Sequence, residues 1–533
     1  MNRLLLSVFF LLCFSAGLFA SKIEVSGTVS GTWSVDTVLV TGEILIPSGE
    51  TLVIEPGVLV EFQGHYLVFV RGRVVALGTM EAPILFTAGD TTGFSDTTSI
   101  AGGWHGFVYQ RPPVPNDTSV FVHCTFSYGK AVASDTTGVY GGAFRIFGWN
   151  KIRFSQCTFQ DNLAYKWGGA IYAKESDIRI ENCVFTRNRC GKATEPYGYG
   201  GALCAVKSDP LVVGNIFRYN QSTGIGGGAS FEYSDPDLRM NTFDQNVSGL
   251  GGGLGYLRTA PARVASGNLI SNNMAVFFGG GIACIRAHTV FVNNTVVNNA
   301  ASYGGGFYCN DSAVPSSYNC VFHGNDAAEG VEVYIWDVRS APNFFYCNVP
   351  GDTSAFAGSG GHEGYHGEYQ HNLDEVPDFS GSMEAPYSLK RTSPFVDAGM
   401  PDTSGLQVPL KDLAGGERIY NGRIDIGAYE WNPGPGIEKV ILHNHTIVVF
   451  PNPAHGNTSI LIRSGLTESI DIHVYHSSGF KVKTFRSITV RPGENFIPWN
   501  CCTDTGVPVP AGFYLVSAES PYVKETAKLT IIR

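Results

Sequence analysis

The sequence predicts an all-β chain: a right-handed parallel β-helix followed by a small C-terminal β-sandwich of the immunoglobulin-like kind. Two observations lead there. Between Tyr140 and Asn325 one pattern recurs seven times, and after a Pro/Gly linker near residue 435 it gives way to longer alternating runs. The first half of each repeat is a Gly step, with the glycine before an apolar or small residue at Gly142, Gly169, Gly201, Gly228, Gly253, Gly281 and Gly306, at intervals of 27, 32, 27, 25, 28 and 25. The second half is a six-residue unit opening on Cys or Asn and closing on Asn: CTFQDN from Cys157, CVFTRN from Cys183, NIFRYN from Asn215, NTFDQN from Asn241, NLISNN from Asn268, NTVVNN from Asn294 and CVFHGN from Cys320.

A unit this short cannot bury its own apolar face, so the units must stack as a solenoid. Runs such as IRIENCVF and TVFVNNTVV are rich in β-branched residues and lack helical spacing, while Gly pairs and Asn suit tight corners. At ~3.3 Å per residue, one unit closes a coil of roughly 86 Å perimeter, enough for three short faces and their turns. The right hand follows from the general preference of β-crossovers. Equivalent residues of successive coils lie ~4.8 Å apart, so the Cys/Asn positions form a ladder, extended at its ends by Cys124 and Cys347. A second cysteine column is expected three residues after the Gly step, at Cys204, Cys284 and Cys309. Buried thiols behaving as small apolar groups explain both columns more simply than disulfides between coils.

Residues 1–20 combine Arg3, an apolar run and small residues before Ser21, the pattern of a secretory signal peptide cleaved after Ala20. The expected localisation is secreted or outer cell surface, via the periplasm. Removing Cys13 leaves an odd number of cysteines, which argues against a disulfide framework. The formal charge of −10, with no long basic run, argues against a nucleic-acid partner. No later apolar run is long enough for a transmembrane helix. The expected organisation is residues 21–349 as β-helix, with a cap over 22–35, then 350–435 as closing segment and linker, and 440–533 as sandwich.

The stretch GETLVIEPGV from Gly49 resembles the opening coils of many secreted bacterial β-helix proteins. The repeats resemble those of the chlamydial polymorphic outer-membrane proteins, through Gly-Gly-Ala-Ile/Leu at Gly168–Ile171 and Gly200–Leu203 and Phe-x-x-Asn at Phe159–Asn162, Phe185–Asn188, Phe217–Asn220, Phe243–Asn246 and Phe322–Asn325, with Ile270 and Val296 departing. That resemblance implies a surface β-helix associated with adhesion. DEVPDF, YSLKRTSPFVDAG, DLAGGER and GRIDIGAYEW resemble a closing segment carried with varied surface anchors, expected to cover the last coil. From about residue 440, Val448-Val449-Phe450-Pro451-Asn452-Pro453, IDIHVYHSSGFKV, GENFIPWN, DTGVPVPAGFYLV and the final KLTIIR resemble the C-terminal sorting domain of the type IX secretion system. The resemblance implies that machinery as a partner. Cys501-Cys502 stand where that family usually has a Gly.

Three candidate sites emerge. His362-Glu363-Gly364-Tyr365-His366 matches the HExxH zinc pattern, but its glycines oppose the helix that such a site needs, so a solvated loop is expected. Asp177, Asp209 and Asp235 each precede the Cys/Asn position by six residues and should stack, with Asp237 nearby. Such a column could hold Ca²⁺ if the protein were a polysaccharide lyase or hydrolase of pectate-lyase-like fold, although Asp before Pro is ordinary turn chemistry. Lastly, Tyr140, Trp167, Tyr199, Ile225, Leu250, Phe278 and Tyr303 precede the Gly steps. The aliphatic members favour interior packing over a sugar-stacking stripe. The one long repeat inserts RCGKATEPYGYG between Asn188 and Gly201, making Tyr197, with Tyr199 and Trp167, the ligand-contact candidates. The reading is a non-catalytic adhesin or glycan-contacting scaffold with a glycan or host-surface ligand, no cofactor, and a polysaccharide lyase or hydrolase as the alternative.

Overall fold

A computed structural model describes Ser21–Ile532 apart from residues 113–116, 133–137, 193–194, 196, 261–262, 433–445, 451, 465–467, 478–479, 492 and 520–523. The proposed signal peptide lies outside the described residues. The chain falls into two compact units that divide after Asn432.

The first unit is a parallel β-helix with four short strands per coil, one more than the expected three faces. One coil runs Ile152–Ser155, Thr158–Gln160, Leu163–Ala164 and Ile171–Lys174. Stacked coil on coil, the first of these strands belongs to a 13-stranded sheet and the third to an 8-stranded sheet among the described residues. The second and fourth stacks share a 22-stranded sheet. The two join at Thr37–Ile46, which pairs with Leu59–Phe62 through its first half and with Val68–Val70 through its second. Short alternating strands turn every second side chain inward, and these fill one continuous core. Phe86, Phe126, Phe159, Phe185, Phe217 and Phe243 stack within it as a column, the last three contacts at 4.6 Å between ring centroids. Ile270, Val296 and Phe322 continue the same ladder position.

The six-residue unit builds two amide ladders, one at each of its ends. In the second, Asn162, Asn188, Asn220, Asn246, Asn273 and Asn299 each donate Nδ2 to the Oδ1 of the next, ending on Asn325, at 2.9–3.0 Å. Each Oδ1 also accepts a backbone N–H of the preceding coil, from Gly129 at Asn162 and from the preceding asparagine thereafter, and each Nδ2 also reaches a main-chain carbonyl, as Asn246 does to Phe217 O at 2.9 Å. Every polar group of a buried amide is thereby paired. The residue before each of these asparagines has positive φ, from Asp161 at 52° to Gly324 at 65°. The first ladder mixes residue types: Asn215, Asn241, Asn268 and Asn294 bond as above, while Cys183 Sγ accepts the Cys157 N–H at 3.4 Å and Cys347 Sγ the Cys320 N–H at 3.3 Å. Sulfur keeps the main-chain half of the interaction. The described cysteines are free thiols.

The Gly step is a corner with two separate demands. Gly200 adopts φ +67°, and a Cβ there would lie 2.0 Å from Leu203 O. Gly201 has ordinary φ, yet its Cβ would lie 2.1 Å from Gly227 O of the next coil. The left-handed glycines are Gly141, Gly168, Gly200, Gly226, Gly251, Gly279 and Gly304. The glycine before the small residue is therefore one place after the left-handed one in the early coils and two places after it from Gly228 on. That difference overturns the second cysteine column. Cys204 aligns with Tyr172 and Ser230 and faces outward, whereas Cys284 aligns with Tyr256 and Cys309 inside the core. A shift of one residue moves a strand side chain to the opposite face.

The expected cap over 22–35 is instead the outermost described rung of the ladder, its strand Lys22–Thr28 largely exposed. Lys22–Thr28 and Gly31–Trp33 add an incomplete first coil on Thr37–Ile46 and Thr51–Ile54. At the other end the parallel ladder runs beyond residue 349, to Tyr369–Gln370 paired with Asn343–Phe345, and Phe356 plugs the core against Phe344 and Tyr365. The rest of the closing segment does not cover the last coil as expected. It lies along the flank, with Leu389, Phe395 and Ile426 packed on Leu269, Val297 and Val321. Asn293 Nδ2 donates to Asp425 O at 2.8 Å, and Ala428 N–H to Thr295 Oγ1 at 2.9 Å. DLAGGER and GRIDIGAYEW meet here: buried Arg418 sits 3.4 Å from Glu430, whose carboxylate accepts the Asp425 N–H, while Asp412 accepts the Glu430 N–H. These carboxylates fold the segment by taking up main-chain amides.

The second unit packs two antiparallel sheets into a small β-sandwich. One holds Thr446–Phe450, Thr458–Ser464 and Gly493–Trp499; the other holds Lys481–Val490, Glu468–His476, Gly512–Glu519 and Lys524–Ile531. Ile460, Ile472, Val474, Trp499 and Val516 fill the space between them. The Cys501-Cys502 departure is accommodated. Cys501 takes the left-handed conformation at φ +51° that glycine adopts without strain, and Trp499 Nε1 donates to Cys502 O.

Two predictions follow from the ladders. Replacing Asn241 by Ala strands the Asn215 and Asn268 amide groups and the Val212 carbonyl, and is expected to cost about 2–4 kcal/mol of stability; Asn241→Cys, the residue used elsewhere in that ladder, costs less, as thermal unfolding will show. The second ladder ends on Glu332, whose Oε2 accepts Asn325 Nδ2 at 2.5 Å. Burial pushes its pKa from 4.5 up to about 7, so its charged form weakens the fold progressively between those pH values. Glu332→Gln is expected to raise the unfolding midpoint at pH 8, by an amount of order 3 kcal/mol, and to change little at pH 4.

Candidate functional site

The residue before each left-handed glycine sits at the concave corner between the third and fourth strand stacks. Parallel bridges link Tyr140 to Trp167, Tyr199, Ile225 and Leu250, and the ladder continues through Phe278 and Tyr303. The sequence favoured interior packing for this column; the structure places it outside the main core, half-buried in the corner. The sharp Gly turn reverses the chain before the side chain can enter the lumen. Trp167 and Tyr199 stack with centroids 5.2 Å apart and planes within 1°. Tyr140 lies 5.5 Å from Trp167 and 4.8 Å from Tyr172.

The inserted loop completes one end of this aromatic wall. Trp167 Nε1 donates to Tyr197 O at 2.9 Å, Tyr165 Oη to Glu195 Oε1 at 3.3 Å and Thr223 Oγ1 to Glu195 O at 2.8 Å. Tyr197 is 65% exposed. Together Trp167, Tyr199, Tyr165, Lys192 and Tyr197 enclose a cavity of about 310 Å³. The structure thus brings the three sequence-nominated aromatic residues into one place. Tyr140 and Trp167 also line a second, larger groove of about 1000 Å³ over the fourth strand stack, with Phe69, Arg145, Tyr172 and Lys174. These four were missed because they are spread over three coils. Their signal was strand alternation: Phe69, Val108, Arg145 and Tyr172 are successive rungs of one outward ladder. Burial pushes the Tyr172 and Tyr199 phenols up, so both remain neutral donors at physiological pH.

Asp177, Asp209 and Asp235 do stack on one turn column, on a different corner. Asp177 Oδ1 accepts the Asp209 N–H and Asp209 Oδ1 the Asp235 N–H, each at 2.8 Å. The column is a turn ladder in which each carboxylate spends one oxygen on the next coil. Burial, then the charge of Asp209, raises the Asp235 pKa. Asp237 pairs with Arg239 on its own strand. Among the described residues no group of three His, Cys, Asp or Glu side chains is placed to hold a metal ion. His362–Gly364 form a single 3₁₀ turn, and His366 Nδ1 lies 3.2 Å from Gly364 O. No helix among the described residues is long and apolar enough to cross a membrane.

A family model agrees with the β-helix. The family described as right handed beta helix region matches residues 114–259, the stretch that carries the aromatic wall. A metabotropic glutamate receptor-like protein R of Dictyostelium discoideum is 26% identical over 160 residues, 30% of this chain and 10% of that protein. The probable autotransporter YfaL of Escherichia coli K12 is 23% identical over 287 residues, 50% of this chain and 21% of that one. The chain therefore spans about a fifth or less of the curated relatives it matches. Among solved structures, PorZ, a surface component of the type-IX secretion system of Porphyromonas gingivalis, shares 22% identity over 16% of this chain and 11% of its own, with a TM-score of 0.13.

Proposed function

We propose that the protein is an exported, non-catalytic β-helix scaffold that contacts a glycan at the cell surface or outside the cell. One observation carries the proposal: Tyr140, Trp167 and Tyr199 form a partly exposed aromatic wall outside the lumen, which the Phe column already fills. Flat rings bordered by hydrogen-bonding groups suit the apolar faces of sugars. The inserted loop adds the exposed Tyr197 and charged Lys192 and Glu195 at its end. Export by the type IX route, with the C-terminal sandwich as sorting domain, rests on the motifs from Val448 to the final KLTIIR. A polysaccharide lyase or hydrolase of pectate-lyase-like fold, using Ca²⁺ at Asp177, Asp209 and Asp235, is the less favoured reading, since these carboxylates are engaged along the axis and do not converge on a groove.

On a glycan array the full chain is expected to retain a defined set of sugars, and Trp167→Ala to weaken that binding at least about tenfold with unchanged circular dichroism. Release of unsaturated or reducing ends from an acidic polysaccharide would transfer the assignment to the enzyme reading. In cells, deletion of residues 440–533 is expected to trap the protein in the periplasm; an intact chain found in the cytoplasm would remove the export proposal.

A further inference from the structure

We infer that the glycan is a linear polymer laid along the solenoid axis and held at a second aromatic cluster, Phe278, Tyr303 and Trp336, as well as at the first; the inference rests on the glycan-contact reading above. The corner column that carries Tyr140, Trp167 and Tyr199 continues in register through Ile225, Leu250, Phe278 and Tyr303, and its next rung is the exposed Glu329. The column is thus apolar throughout and aromatic at both ends. Phe278 and Tyr303 stack with centroids 5.2 Å apart, and Trp336 meets Phe278 edge to face at 5.3 Å. Phe278 and Tyr303 are partly exposed, Trp336 is 48% exposed, and the neighbouring Phe277 is 51% exposed. Like the first cluster, this one lies outside the lumen: Phe278 and Tyr303 pack on Ala283, Tyr308 and Tyr334, successive outward rungs of the fourth strand stack.

The spacing of the two clusters selects a chain over a single sugar. Trp167, Tyr199, Ile225, Leu250 and Phe278 are successive rungs, so Trp167 and Phe278 stand four strand spacings apart, about 19 Å at ~4.8 Å each. The two rungs between them carry no ring, and Ile225 is buried. The cavity at the first cluster, about 310 Å³, is at the small end for ligand sites and takes only a short segment. A terminal sugar or a short oligosaccharide therefore meets one cluster, whereas an extended chain aligned with the column meets both. With one cluster occupied, the second contact becomes intramolecular, at a high effective concentration, so affinity rises with chain length. The second cluster is furnished for such a chain. Trp336 is turned 88° from Phe278, so the rings present both edges and a face, and the Glu329 carboxylate, in register with Tyr303, offers an acceptor for sugar hydroxyls.

The full chain is to be probed on an array carrying gluco-, xylo-, manno-, chito- and galacturono-oligosaccharides, each as a length series, beside branched glycans. Within at least one series the long members are expected to bind about tenfold or more tightly than the trimer, the climb setting in where the extended oligosaccharide spans the distance between the clusters. Trp336→Ala, at an exposed position, should bring the long members down toward the trimer and leave the trimer unchanged. Phe278→Leu should lower the long members in the same way with unchanged circular dichroism, and Leu410→Ala, an exposed residue of the flank segment, should change nothing. Trimers bound as tightly as long members, retention confined to branched glycans, or a length effect untouched by both Trp336→Ala and Phe278→Leu overturns the two-cluster inference and leaves the glycan reading standing. An array on which nothing is retained overturns both.

Discussion

Everything in the solenoid depends on side chains that satisfy main-chain groups one coil away. A parallel sheet fixes the spacing of coils along the strands, but the corners lie outside the sheets and leave amides that a dry core cannot tolerate. The two Asn/Cys ladders solve this at both ends of the six-residue unit, and the Asp177–Asp209–Asp235 column does the same at a third corner. Because each rung bonds to the next coil, register errors at one corner propagate to its neighbours. The repeat is consequently strict where the amides are and permissive elsewhere, as the long loop before Gly201 illustrates.

Much of this was legible in the sequence, for a physical reason. Asn, Cys and left-handed glycine are each required by a local bond or dihedral, so their period reports the fold directly. Two things were harder to read. The Gly step was counted from the wrong glycine after Gly228, since the letters do not show which member of a Gly run takes positive φ, and that one-residue slip put Cys204 in the same column as Cys284 and Cys309. The aromatic column was judged interior because its members include Ile225 and Leu250. Whether such a column faces the lumen or the outer corner is decided by the turn that follows it. Arg145 and Lys174 carried no motif at all, because their proximity exists only once the coils are stacked.

The flank segment bears on function through what it occupies. Leu389, Phe395 and Ile426 cover the outward apolar residues Leu269, Val297 and Val321, and a buried Arg418–Glu430 pair supports them with carboxylates bonded to main-chain amides. One long side of the solenoid is in this way committed to the chain itself. The aromatic corner, on another side, keeps Tyr140, Trp167 and Tyr199 partly exposed among the described residues.

The ladder that ends on Glu332 sets a length rule for the whole molecule. An asparagine passes the same demand to the coil beyond it, so a stack of asparagines has no intrinsic end. Glu332 accepts the last amide, that of Asn325, and the run of asparagines stops there. Growth of the solenoid in evolution is thereby directed to its middle, where a coil copied between Asn188 and Asn299 finds the same partners above and below. Each coil inserted there would lengthen the corner column that runs from Tyr140 to Tyr303 by one strand spacing, and the reach of that surface would be set by counting repeats.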